Sequence, residues 1–175
     1  MRAALAAGLV VAFGIAGAAR SDAVETSVSA RVDAAPDRVL AVLADFESWN
    51  RVFDGVETVT AERQDAHRAR LRQRVQRAGY TLSYMVDATV DPAARRVDLA
   101  LDPAERGDLE VLATTWRIEP LPDGGSLVTL RVRSRSRLPI PEFVERRITE
   151  YTTHASLADL VRSVERIAIA DRGRD

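Results

Sequence analysis

The stretch from Ser29 to Val59 restricts the fold of this chain more than any other. Thr26 to Val32 alternates polar and apolar residues, as a half-buried strand does. Pro36 follows shortly after, and proline suits a first helical turn because the N–H it lacks is one the helix leaves unpaired. Val39, Val42, Leu43 and Phe46 then fall at i, i+3, i+4 and i+7, which gives one buried stripe. Trp49, Val52 and Phe53 carry that spacing through one further turn, and Gly55 ends it. A strand followed by two short helices and a return to strand is an unusual opening for an antiparallel sheet.

Further period-two segments follow. In His67–Arg77, Ala69, Leu71, Gln73 and Val75 share one face, and Arg68, Arg70, Arg72 and Arg74 the other. Leu82, Tyr84, Val86, Ala88 and Val90 line up next, then Val97, Leu99 and Leu101. Leu112, Thr114, Trp116 and Ile118 form another row, while Val128, Leu130 and Val132 oppose Arg131, Arg133, Arg135 and Arg137. One apolar and one polar face describe an antiparallel sheet with a wet side. Ala78-Gly79, Asp91-Pro92 and Asp123-Gly124-Gly125 are the turns. Leu138-Pro139-Ile140-Pro141 stops the sheet, since proline donates nothing to a ladder.

From Glu142 to Ala168 the period becomes helical. Val144, Ile148, Tyr151 and Ala155 read as one stretch of an apolar stripe that Leu157, Leu160, Val161, Val164 and Ile167 continue. At ~1.5 Å per residue this helix is about 40 Å long, and only a matching sheet covers it. The expected architecture is α+β, a curved antiparallel sheet of about seven strands around a long carboxy-terminal helix, with a cavity between them.

Residues 1–23 stand apart from that pattern. Arg2 precedes an unbroken run of small and apolar residues from Ala3 to Ala18, and Ala16-Gly17-Ala18 and Ser21-Asp22-Ala23 both offer small-x-small cleavage sites. The reading is a cleaved signal peptide over 1–23, a domain over 24–170 and a disordered tail over 171–175, with a periplasmic or secreted mature protein.

Composition removes several chemistries. All 25 basic residues are arginine, so Schiff-base and lysine general-base mechanisms are excluded. With no cysteine, thiol nucleophiles and disulfides are excluded as well. The two histidines, His67 and His154, begin no metal-binding pattern, and no cofactor or metal is expected. A net charge of -1 points to neither nucleic acid nor an anionic membrane as an overall partner. The arginine rows suggest a solvated face balanced by carboxylates, or else transient contact with anionic lipid head groups. They lack the stacking aromatics of a nucleic-acid module.

Gln73, Tyr84, Thr114 and Trp116 combine bulk with a polar tip on faces assigned to the interior, as in an apolar pocket with a few orienting groups. The same residues also suit ordinary core packing. With them, Leu71, Leu82, Val86, Leu99, Leu112 and Leu130 from the sheet and Tyr151, His154 and Ala155 from the helix form the expected lining. His154, among Thr152, Thr153 and Ser156, is either a ligand-orienting or general-base group or a half-exposed residue beside Glu150. No catalytic set of residues accompanies the lining.

Ala34-Ala35-Pro36-Asp37-Arg38-Val39, Leu43-Ala44-Asp45-Phe46-Glu47-Ser48-Trp49, Val52-Phe53-Asp54-Gly55-Val56-Glu57 and Leu138-Pro139-Ile140-Pro141 together resemble the helix-grip, START-like superfamily. The likeness spans roughly residues 25–168 and is strongest to its polyketide cyclase/dehydrase and coenzyme-Q-binding branch. It implies a hydrophobic molecule held between sheet and terminal helix. Three functions follow as expectations: a non-catalytic carrier of a lipid-like molecule, a cyclase or dehydratase, or a protein-interaction domain whose cavity has collapsed.

Overall fold

The computed structural model describes residues 22–77 and 79–172. Most of the expected signal segment and the end of the expected tail lie outside the described residues. The chain forms β1 (Val24–Val32), α1 (Pro36–Ala44), a single 3-10 turn (Phe46–Ser48) and α2 (Trp49–Val52). It continues as β2 (Val56–Arg63), β3 (Arg68–Arg77), β4 (Tyr80–Asp91), β5 (Arg96–Leu101), β6 (Leu109–Pro120), β7 (Ser126–Ser136) and α3 (Glu142–Arg172). The last helix therefore runs past Ala168 and into the segment expected to be a tail.

The strands make one antiparallel seven-stranded sheet in the order β1-β7-β6-β5-β4-β3-β2. β1 and β2 thus sit at opposite edges, and α1 and α2 carry the chain from one edge to the other. α3 packs along β1 and β7. This is the helix-grip arrangement, with sheet residues alternating between a face turned to the helices and a face turned to water.

The sealed core lies where α1, α2 and the carboxy-terminal half of α3 meet the sheet. Val32, Val39, Leu43, Phe46, Leu71, Val86, Val97, Val128, Leu130, Leu160 and Val164 are all fully buried there. An aromatic chain runs through it: Phe46 to Trp49 at 5.3 Å, Trp49 to Phe53 at 5.2 Å and Phe53 to Trp116 at 5.9 Å between ring centres, edge-on or tilted. The buried Trp49 indole donates to the Leu43 carbonyl at 3.1 Å, so its polar end is satisfied.

The outer face carries the arginine rows, interleaved with carboxylates. Arg72 pairs with Glu105 and Arg74 with Glu57, both at 2.7 Å, and Arg135 with Glu110 at 2.8 Å. Arg70 reaches Asp102 at 3.3 Å, and Arg131 pairs with Glu25. Apart from Arg70–Asp102, whose carboxylate is buried, solvent-exposed and half-exposed pairs of this kind contribute at most about 1 kcal/mol each. They set carboxylates against several arginines of this face, as the balanced-surface reading expects.

Candidate functional site

Under the amino-terminal half of α3 the sheet and helix separate, and a cavity of about 200 Å³ remains. Its sheet side is built by alternation. Leu82, Tyr84 and Val86 from β4, Leu99 from β5, Leu112, Thr114 and Trp116 from β6, and Leu130 and Val132 from β7 all point into it. Trp49 and Phe53 close one end, and Tyr80, about one-third exposed, marks where the cavity reaches solvent.

Two β-bulges widen the lining. Between Leu109 and Val111 the register on β7 shifts, so that Leu109 faces Ser136 while Val111 faces Arg135. The extra residue, Glu110, lets Leu109 and Leu112 both face inward although they are three apart. A similar shift between Val56 and Thr58 turns Val56 inward beside Val75. Strict alternation from Leu112 or Val59 misses both residues. Beyond the end of β5, the segment leading into β6 covers β4 directly. Asp108 N–H donates to the Ser83 carbonyl at 3.0 Å, and Ser83 N–H donates to the Asp108 carboxylate at 2.8 Å. Gly107 has φ +59°, and a Cβ there would stand 2.0 Å from the Ser83 carbonyl oxygen, so only glycine fits.

The helix side differs from the sequence expectation. Tyr151 (59% exposed) and His154 face solvent, and Ala155 is half-buried outside the lining. The buried stripe of α3 instead reads Glu145, Thr149, Thr153, Leu157, Leu160 and Val164. Its carboxy-terminal members are apolar and join the core. Its amino-terminal members are polar and roof the cavity, with Ile148, Thr152 and Ser156 beside them. The expected Val144–Ala155 stripe follows the apolar residues and so rotates the helix. Counting back by four from Leu157 finds Thr153, Thr149 and Glu145. Leu71 also departs from expectation: it is sealed in the core and does not reach the cavity. The other nine expected residues (Gln73, Leu82, Tyr84, Val86, Leu99, Leu112, Thr114, Trp116 and Leu130) come together in the lining.

Most polar groups of the roof are already engaged. Thr153 and Thr152 donate to the Thr149 carbonyl at 2.6 and 3.0 Å, and Thr149 Oγ1 shares a hydrogen bond with Ser134 Oγ at 3.0 Å. Glu145 accepts a hydrogen bond from the Ser136 backbone N–H. It sits in the first turn of α3, where the helix dipole favours a carboxylate. On the opposite side of the cavity Tyr84 donates from its hydroxyl to Gln73 Oε1 at 3.0 Å. Burial pushes the Tyr84 hydroxyl well above the usual phenol value of 10.0, so it keeps its proton. The Gln73 amide nitrogen is left sealed from solvent without a partner.

The arrangement offers an apolar slot with a hydroxyl-lined roof. Among the described residues its lining holds one carboxylate, Glu145, and neither arginine nor histidine. Among the described residues no group of histidines and carboxylates could hold a metal ion, and no helix is long and apolar enough to cross a membrane.

Comparison with known folds agrees with the architecture. An aromatase/cyclase from Streptomyces sp. R1128 superimposes with a TM-score of 0.73 at 20% identity, over 82% of this chain and 94% of that one. A START superfamily protein from Mycobacterium smegmatis gives 0.71 at 18%, over 82% and 98%. A protein from Thermus thermophilus gives 0.71 at 20%, over 84% and 98%. At such identities the likeness establishes the fold alone. No curated protein matches the chain in sequence. The family described as polyketide cyclase / dehydrase and lipid transport matches residues 23–166, from the start of the sheet through most of α3, and the chain belongs to that family.

Proposed function

We propose that the protein binds and carries a hydrophobic, lipid-like small molecule in the cavity between sheet and α3, without transforming it. The observation that carries this reading is the cavity itself: about 200 Å³ of space with largely apolar walls and an opening beside Tyr80. A protein-interaction domain with a collapsed cavity has no use for such a space. Burying about 200 Å² of apolar ligand surface contributes about 5 kcal/mol before ordering costs, enough to retain a ligand once hydrogen bonds add to it.

Catalysis of the cyclase or dehydratase type is the second reading, and Glu145 is the observation that favours it, as the carboxylate in the lining. His154 faces outward, so the titratable groups that share the lining with Glu145 are the tyrosines Tyr80 and Tyr84, and burial keeps the Tyr84 hydroxyl protonated. The amino-terminal apolar run supports action in an extracytoplasmic compartment.

Native mass spectrometry of the purified protein, followed by solvent extraction, tests the reading. A stoichiometric hydrophobic adduct, released unchanged, is the expected result. A bare mass that takes up nothing from a panel of neutral lipids and quinones overturns it. A molecule released in altered form moves the assignment to the enzyme.

A further inference from the structure

The outer face of α3, turned away from the cavity, takes no part in the site described above. Phe143, 71% exposed, and Tyr151, 59% exposed, are the two most exposed large hydrophobic side chains among the described residues. Both stand on this face, about 12 Å apart along the helix. Arg147 lies between them and His154 beyond, both exposed, with the half-buried Glu150 alongside. Phe143, Arg147, Glu150 and His154 follow one another at steps of four, three and four, the spacing that keeps side chains in one stripe along a helix. Arg146 next to them pairs with Glu142 at 3.0 Å. Arg147 and Glu150 make no ion pair among the described residues, although they stand one turn apart.

Steps of four, three and four read the same in both directions, so the stripe is complementary to itself. Laid antiparallel about the midpoint between Ile148 and Thr149, it sets Arg147 against Glu150 of a second copy and Phe143 against His154. A two-fold axis repeats both contacts, as it does in any isologous interface. A parallel pairing in register instead sets Arg147 against Arg147. We propose that this face of α3 is a homodimer interface, in which reciprocal Arg147–Glu150 ion pairs fix an antiparallel register. The aromatic side chains supply the area, and the charges supply the selection between orientations. Covering the four rings removes about 500 Å² of surface from water, and the stems of Arg147 and His154 bring the interface to roughly 1,000 Å². That is the low end for a specific complex, so the dissociation constant is expected at about 10–100 µM, with monomers well below it. The pairing braces the turns of α3 that roof the cavity, where the sheet stands away from the helix, and it does not depend on what the cavity holds.

Sedimentation velocity of the purified protein from about 1 to 300 µM tests this, because dimerisation follows mass action. The parent protein is expected to pass from monomer to dimer over that range. Arg147→Glu alone and Glu150→Arg alone bring like charges together, and each should weaken association by about tenfold or more. Mixed in equal amounts, these two variants have opposite charges at both contacts, and a heterodimer of the parent's affinity is expected. Phe143→Ser removes the most exposed ring and should leave a monomer throughout. All three change solvent-facing side chains, so their urea midpoints at about 1 µM should match the parent's. A parent that stays monomeric, a dimer indifferent to these substitutions, or charge variants that fail to associate when mixed overturns the proposal. A monomeric parent that instead floats with vesicles of anionic phospholipid overturns it too and gives this face to a lipid surface.

Discussion

At the scale of single residues, Tyr84 connects burial, proton affinity and stability. Its hydroxyl is held neutral by burial, and its hydrogen bond to Gln73 requires the proton to stay. The folded-state pKa lies above the unfolded one, so the linked stability is complete below the unfolded value and declines as pH rises through the alkaline range. With no lysine or cysteine in the chain, few other groups titrate there. Above about pH 10 the Tyr84 contribution is expected to fall by ~1.4 kcal/mol per pH unit, because unfolding releases one proton. Urea unfolding at stepped pH should therefore show a shallower alkaline decline for Tyr84→Phe than for the parent protein. Parallel declines would mean that Tyr84 ionises in the native state, and that the cavity around it is wetter than its walls imply. Gln73 and Tyr84 were both legible as polar-tipped interior residues, because strand alternation alone sets which way they face. Their mutual bond was not legible, since it depends on the antiparallel register that places residue 73 opposite residue 84.

At the scale of elements, α3 shows where hydrophobic periodicity stops being a guide. That rule assumes a helix buries its apolar side against a packed core. It holds from Leu157 to Val164, and the fold class was readable because most elements obey it. Over the first turns the helix instead roofs an open space, and Glu145, Thr149 and Thr153 face inward while Tyr151 and Phe143 stay exposed. A rule that follows apolar residues rotates that half of the helix. The bulges at Glu110 and Glu57 have the same consequence for strands: one extra residue reverses parity, and nothing in the local composition announces it. The helix phase is directly testable. Leu160→Ala should cost about 2–5 kcal/mol in urea unfolding, as expected for a sealed leucine. Tyr151→Ala and His154→Ala should each change stability by no more than about 0.5 kcal/mol and leave the affinity for a small hydrophobic naphthalene probe untouched. Loss of probe binding on replacing His154 would put the other face of the helix over the cavity and revive a role for the histidine.

At the scale of the whole molecule, the sheet and α3 are held as a closed core at one end and as an open cavity at the other. The closed end is fastened by polar bonds as well as packing: Asp54 N–H donates to the buried Asp159 carboxylate at 3.1 Å, and Arg162 bridges Asp159 and Asp54. The open end lacks neighbours for its lining atoms, and missing dispersion contacts lower stability relative to a filled interior. A protein selected for stability alone would close that space, so its persistence separates the demands of folding from those of binding. Thr114 lies on β6, buried in the cavity wall between Leu112 and Trp116 along the inward row. Thr114→Leu directs a larger apolar side chain into the empty volume. It is expected to raise stability by about 1 kcal/mol, or roughly 2–4 °C in Tm for a domain of this size, and to weaken naphthalene-probe binding by about tenfold or more. Opposite signs for stability and affinity are the signature of a cavity kept for a ligand. Destabilisation with affinity unchanged would mean that the space at Thr114 is already occupied by packing, and that the molecule is bound elsewhere.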